Sequence, residues 1–215
     1  MTEVTYLVNN PFQENTYILH DDTKECIIID PGCFFGHEKE ALVGYIQQHD
    51  LKPVRLINTH CHIDHVFGNK FVAETYGLGL EIHEGEVPVL EATPRIAQMY
   101  GIPYKEPSPT PTRFIAAGEI IEFGNTKLEV RYTPGHSPAS ISFYCKESKF
   151  IIGGDVLFQG SVGRTDLPGG DMATLLDSIK THFLSLPDET VVYSGHGSPT
   201  NVGTERETNP FLRQA

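Results

Sequence analysis

Six consecutive residues, His60-Cys61-His62-Ile63-Asp64-His65, concentrate three imidazoles and a carboxylate immediately after the apolar run VRLINT at 54–59. An extended or turning backbone points alternate side chains the same way, so His60, His62 and Asp64 can converge while Cys61 and Ile63 face elsewhere. His65 falls at the start of the next helical stretch and can turn back toward the same place. Neutral imidazole nitrogen and carboxylate oxygen both suit a borderline divalent metal. Packing gives no reason to crowd imidazoles behind a buried strand.

The rest of the chain supplies a scaffold for such a window. Runs rich in Val, Ile, Tyr and Phe recur at 4–8, 15–20, 25–30, 54–59, 128–133, 140–145, 149–154 and 190–195, bounded by Gly, Pro, Asp or Asn. That is the strand signature. Helical spacing groups Ala41, Leu42, Tyr45, Ile46 and His49 within 37–49, and Met172, Leu175, Leu176, Ile179 and Phe183 within 171–184, with Asp171 as N-cap. A third helix is expected from His65 to a stop at Gly77. Residues 84–118 carry six prolines and little periodicity, and read as a long ordered insertion beside a site. Strands interspersed with helices imply a layered α/β (α+β) domain, and the length of 215 residues suits a single domain over 1–215.

Three more ligand-type residues share the strand-end context. His136 follows LEVRYT, Asp155 follows KFIIGG and His196 follows TVVYSG, each beside glycine. Strand ends of one sheet system gather along one edge. The inventory is then five imidazoles and two carboxylates, too many for one tetrahedral ion. Two ions about 3.5–4 Å apart, sharing a carboxylate and a hydroxide, account for all seven.

Composition narrows the chemistry. A net charge of −12 argues against nucleic acid as partner, because phosphate binding needs clustered Lys and Arg. Four scattered cysteines without a CxxC pair read as reduced thiols, and MTEVTYLVNN lacks a basic, apolar leader, so the expected compartment is the cytoplasm. No apolar run is long enough for a membrane span.

Together THCHIDH, TPGHS, GGD and SGHG resemble the metallo-β-lactamase superfamily, and within it the short glyoxalase II-like (hydroxyacylglutathione hydrolase-type) enzymes, whose NPFL ending also stands at 209–212. The resemblance implies a four-layer αββα sandwich with the metals at one edge of the sheets. It implies His60, His62 and His136 on a first metal, Asp64, His65 and His196 on a second, and Asp155 bridging. The implied cofactors are two divalent ions, zinc first, with iron or manganese as alternatives. The implied reaction is hydrolysis of a small-molecule thioester such as S-lactoylglutathione by a bridging hydroxide, with Asp64 as catalytic acceptor for that hydroxide.

Arg164 is the candidate for gripping a substrate carboxylate, with an ion pair to Asp166 as the competing reading. Asp30 reads either as support for the ligand loops or as an Asx turn. Cys61 reads as an off-face buried thiol. The sequence Gly163-Arg164-Thr165-Asp166 also resembles mononuclear iron persulfide dioxygenases, and lactonases share the ligand set. A non-catalytic metal-binding module would be expected to lack ligands.

Overall fold

The computed structural model describes residues 1–213. The chain divides into two compact units, Met1–Ile115 with Glu122–Thr126, and Ala116–Ile121 with the chain from Lys127 onward. Among the described residues no helix is long and apolar enough to cross a membrane, and all four cysteines are buried free thiols.

The first unit is built on a six-stranded sheet ordered as in sequence: β1 (Glu3–Asn9), β2 (Glu14–His20), β3 (Glu25–Ile29), β4 (Lys52–Ile57), β5 (Leu80–Ile82) and β6 (Arg113–Phe114). The pairs β1–β2 and β2–β3 are antiparallel, whereas β3 through β6 run parallel. Parallel neighbours need crossovers. These are α1 (Gly36–Gln48), then α2 (Ile63–Val66) with α3 (Asn69–Tyr76), then α4 (Val87–Tyr100). Leu42 and Ile46 of α1, Val72 of α3 and Leu90 of α4 share one buried cluster with Ile18, Ile28, Leu56, Leu80 and Ile82.

Two departures from the expected elements have physical causes. The third helix is broken in two at Gly68, whose N–H donates to the Pro31 carbonyl at 2.7 Å. A Cβ there would lie 2.4 Å from Cys33 Sγ, so only glycine lets the ligand-bearing segment approach the 31–33 loop. The second is α4, a 14-residue helix inside the proline-rich insertion. Pro88 sits in its first turn, where no N–H is needed. Pro94 removes the bond that would reach the Leu90 carbonyl, and Thr93 Oγ1 donates to that carbonyl at 2.8 Å instead.

The second sheet runs β7 (Ile120–Phe123), β8 (Thr126–Tyr132), β9 (Ile141–Cys145) and β10 (Phe150–Gly154), then, beyond a small hairpin of β11 (Leu157–Phe158) and β12 (Ser161–Val162), β13 (Val191–Ser194) and β14 (Thr200–Asn201). Helices α5 (Met172–His182) and α6 (Val202–Thr208) both belong to the second unit. Asp171 caps α5 as expected, accepting from Thr174 N at 2.8 Å. Because β9 is antiparallel to both β8 and β10, and β13 is parallel to β10, strands β8, β10 and β13 point the same way. Their C-terminal ends therefore lie along one edge of the sheet.

Leu175, Ile179 and Phe183 of the α5 segment pack with Ile151, Val156, Leu157 and Val192 in one buried cluster. Phe183 is fully buried, and its ring lies under Gly153, one residue from the end of β10. Phe183→Ala should cost about 3–5 kcal/mol of stability, a cavity too large to collapse; denaturant unfolding of the two proteins measures it.

Candidate metal centre

Beyond β4 the chain turns through Asn58 and Thr59 into the histidine window, at the carboxyl end of a parallel strand where α/β sheets place ligands. His60 and His65 are fully buried, and His62 stands at the N-cap of α2. The rings of His60 and His62 meet edge to face at 4.8 Å between centroids, and those of His60 and His65 at 4.1 Å. Asp64 Oδ2 lies 3.8 Å from His65 Nε2.

One carboxylate sets the protonation of this cluster. Asp30 holds a left-handed backbone, φ 51°, uncommon for any residue but glycine and tolerated by Asp. Its Oδ1 accepts from Thr59 N at 2.7 Å and Asn58 Nδ2 at 3.3 Å; its Oδ2 accepts from Thr59 Oγ1 at 2.6 Å and faces His65 Nδ1 at 3.1 Å. Since Thr59 gives its only proton to Asp30, it can only accept from His60 Nδ1, 3.0 Å away. Both His60 and His65 thus carry their proton on Nδ1, and each presents the lone pair of Nε2. The Asp30, His60 and His65 donor atoms lie within 4.8 Å of one another, and these hydrogen bonds make Asp30 the orienting partner, as expected of the carboxylate behind a metal-binding histidine.

Backbone ties hold the window in place. Asn10 Nδ2 donates to the carbonyls of Gly32 and Asp64, both at 2.9 Å. Asn58 Nδ2 donates to the His65 carbonyl at 3.0 Å, and the buried Glu86 carboxylate accepts from Cys61 N at 2.9 Å. Burial pushes the Cys61 thiol well up, with the Glu86 charge adding to it, so it is no nucleophile at neutral pH. Glu14, fully buried with Oε1 3.9 Å from His65 Nδ1, is likewise pushed well above the usual carboxylate range by burial.

In the second unit His136, Asp155 and His196 follow β8, β10 and β13, the three co-directional strands. A register shift in β10 between Ile152 and Gly154 re-aims the chain just before Asp155. Asp155 Oδ2 lies 3.5 Å from His136 Nε2 and 3.4 Å from His196 Nε2. These are longer than the about 2.7–2.9 Å of a charge-assisted hydrogen bond. They match the about 3.4 Å between two ligands held tetrahedrally at about 2.1 Å from one ion. His136 Nδ1 lies 2.8 Å from the Arg164 carbonyl, an acceptor only, so its proton also sits on Nδ1. In both units the donor set fits divalent metal: carboxylate oxygens beside Nε2 lone pairs, with Nδ1 of His60, His65 and His136 committed to an acceptor.

Arg164 itself is exposed and doubly bonded to Asp166, Nε to Oδ1 at 2.7 Å and Nη2 to Oδ2 at 2.8 Å. That pairing holds the Asp166 carboxyl down at about 2. Gly163, just before, passes so close to the Asp155 loop that a Cβ would stand 2.0 Å from the Asp155 carbonyl oxygen and 3.2 Å from His136 Cβ.

Residues 9–196 match the metallo-beta-lactamase superfamily. This chain belongs to that superfamily. Among its relatives is hydroxyacylglutathione hydrolase GloC of Haemophilus influenzae, 39% identical over 202 residues that cover 94% of this chain and 93% of the relative. Among solved structures, BLEG-1 B3 metallo-beta-lactamase is 36% identical with TM-score 0.88, covering 99% of both chains. TTHA1623, solved in a di-iron-bound form, is 38% identical with TM-score 0.87, covering 97% of this chain and all of the other. The metallo-β-lactamase fold expected from the motifs is therefore the fold of this chain.

The supporting residues Thr59, Asn10, Glu14 and Glu86 were not legible as such. Only Thr59 adjoins the window, and a threonine there is indistinguishable from a strand residue. Two outcomes check the geometry. Asp30→Asn should turn an amide N–H toward Thr59 or His65 and lower affinity for divalent metal about 10–100-fold, read by chelator competition with Zn2+. Gly163→Ala should displace the Asp155 carbonyl and reduce bound metal per chain, read by elemental analysis, while leaving circular dichroism unchanged.

Proposed function

We propose that residues 1–215 act as one functional domain, a metal-dependent hydrolase of a small-molecule thioester such as S-lactoylglutathione. The observation that carries this reading is the 39% identity to a hydroxyacylglutathione hydrolase across nearly the whole of both chains. In it, His60, His62 and His136 hold one divalent ion, Asp64, His65 and His196 a second, and Asp155 serves both, a division drawn from the family motifs. The placement of one Asp155 oxygen near two imidazoles supports that shared role. Zinc suits these donors, and the di-iron form of TTHA1623 makes iron the alternative metal.

Bound divalent ions supply a water of lowered pKa and a charge that stabilises the developing oxyanion. The chain does the rest. Asp64 accepts a hydrogen bond from the attacking water and orients it. The Asp30–Thr59 pair keeps His60 and His65 in the tautomer that ligates. Arg164, pre-oriented by Asp166, offers its guanidinium to a substrate carboxylate. The free thiols fit a reducing compartment, and we place the activity in the cytoplasm.

A second reading, a mononuclear iron persulfide dioxygenase, is favoured by Gly163-Arg164-Thr165-Asp166. One preparation separates them, by metal content measured beside turnover of S-lactoylglutathione, a lactone, a cephalosporin and glutathione persulfide. About two divalent ions per chain, with thioester hydrolysis abolished by chelation and lowered more than about 100-fold in His62→Ala and Asp155→Ala, is the expected result. One iron per chain with oxygen uptake on the persulfide would overturn the hydrolase.

A further inference from the structure

Helix α6 buries a carboxylate that the metal centre does not use. Glu205 is fully buried, and three donors from three places in the second unit converge on it. Gly160 N reaches Oε2 at 2.9 Å, from the tip of the β11–β12 hairpin. Asn209 Nδ2 reaches the same oxygen at 2.8 Å. Thr200 Oγ1 reaches Oε1 at 2.6 Å, from β14. Asn209, also fully buried, donates in addition to the Ser161 carbonyl at 3.0 Å, so the hairpin is held at two successive residues.

The tethered segments are those that lead to the ligands. The hairpin leaves directly from Asp155 and returns to Gly163 and Arg164, whose carbonyl fixes Nδ1 of His136. Thr200 closes the turn that begins at Ser194 and contains His196, and it pairs back to Val192 of β13. The two segments are also stitched to each other, Ser194 Oγ to the Leu157 carbonyl at 2.6 Å and Gly195 N to the Gly154 carbonyl at 2.8 Å. An acceptor-only group suits this junction, because every partner is a donor; an amide would turn N–H groups toward one of them.

We propose that Glu205 is a positioning residue of the metal centre, setting the spacing of Asp155 and His196 by holding the hairpin and the His196 turn on one buried carboxylate. The proposal rests on the metal-site reading given above. It assigns α6 and Asn209 a purpose beyond closing the C-terminal end of the fold. Mere closure of the second unit would be served equally well by an apolar cap, which could not hold these three donors.

The test is Zn2+ titration of the metal-stripped full chain against a chromophoric chelator, for wild type, Glu205→Gln, Thr200→Val and Thr200→Ser. Leu42→Ala, a core change in α1 that belongs to neither the β11–β12 hairpin nor the His196 turn, controls for lost stability, with melting temperatures recorded for all. Glu205→Gln and Thr200→Val should bind Zn2+ about 10–100-fold more weakly, Thr200→Ser should bind as wild type, and Leu42→Ala should melt earlier with its affinity kept. Should Glu205→Gln fail to fold, the threonine pair decides. Wild-type binding of Zn2+ with Glu205→Gln or Thr200→Val within twofold of it, or no weaker than Leu42→Ala, would overturn the role of Glu205 alone. A wild-type chain that binds no Zn2+ would overturn the metal reading and this proposal together.

Discussion

The hydrogen bonds that Asp30 accepts from Thr59, and that join it to Nδ1 of His65, decide where two imidazole protons reside. A neutral imidazole is a ligand only through its unprotonated nitrogen, and either nitrogen can lose the proton in water. Burial makes the wrong choice costly, since His60 and His65 have no exposed surface from which to re-equilibrate. The chain stabilises the right choice with a carboxylate held at φ 51°, a conformation of order 1–3 kcal/mol above the ordinary one for a non-glycine residue. Strain of that kind persists only where neighbours over-determine it, and Asp30 takes hydrogen bonds from Asn58 and Thr59 on the far side of the β3–β4 crossover. A local backbone irregularity thus fixes the electronic state of a site some thirty residues further along the sequence.

In each unit the placement of the candidate ligands follows from strand direction. In the first unit the histidine window leaves the carboxyl end of a parallel strand; in the second, three strands of common direction deliver His136, Asp155 and His196 to one edge. Gly163 and the shifted register of β10 let the backbone approach within the space a methyl group would fill. The core beneath, with Phe183 under Gly153, makes that approach rigid.

Much of this was legible in the sequence, and the limits are instructive. Ligand types and their strand-end context were readable because imidazoles clustered at 60–65 have no packing explanation, and because His136, Asp155 and His196 each end an apolar run beside glycine. Helix α4 was not readable, because Pro94 signals a break and its repair by Thr93 Oγ1 is a tertiary detail of one side chain. The split between α2 and α3 was hidden because Gly68 reads as an ordinary helical glycine until the 31–33 loop is placed against it. Buried polar partners such as Glu14, Glu86 and Glu205 are the least visible class: charged residues are presumed exposed, and only the fold brings Cys61 N to Glu86 and Gly160 N to Glu205. Arg164 reads from the sequence equally as a substrate ligand or an ion-pair partner of Asp166; the contact of its backbone carbonyl with Nδ1 of His136 has no sequence signal at all.

The central claim, that the histidines ligate metal through Nε2 because their Nδ1 protons are committed, is open to one direct measurement. Crystals of the metal-loaded protein, with anomalous scattering collected at the absorption edge of the bound metal, locate the ions without reference to activity. The proposed two-metal hydrolase predicts two peaks, both against Asp155, with the imidazole Nε2 atoms about 2.0–2.1 Å away. Peaks approached through Nδ1, or a map with no ordered metal beside these residues, would contradict it.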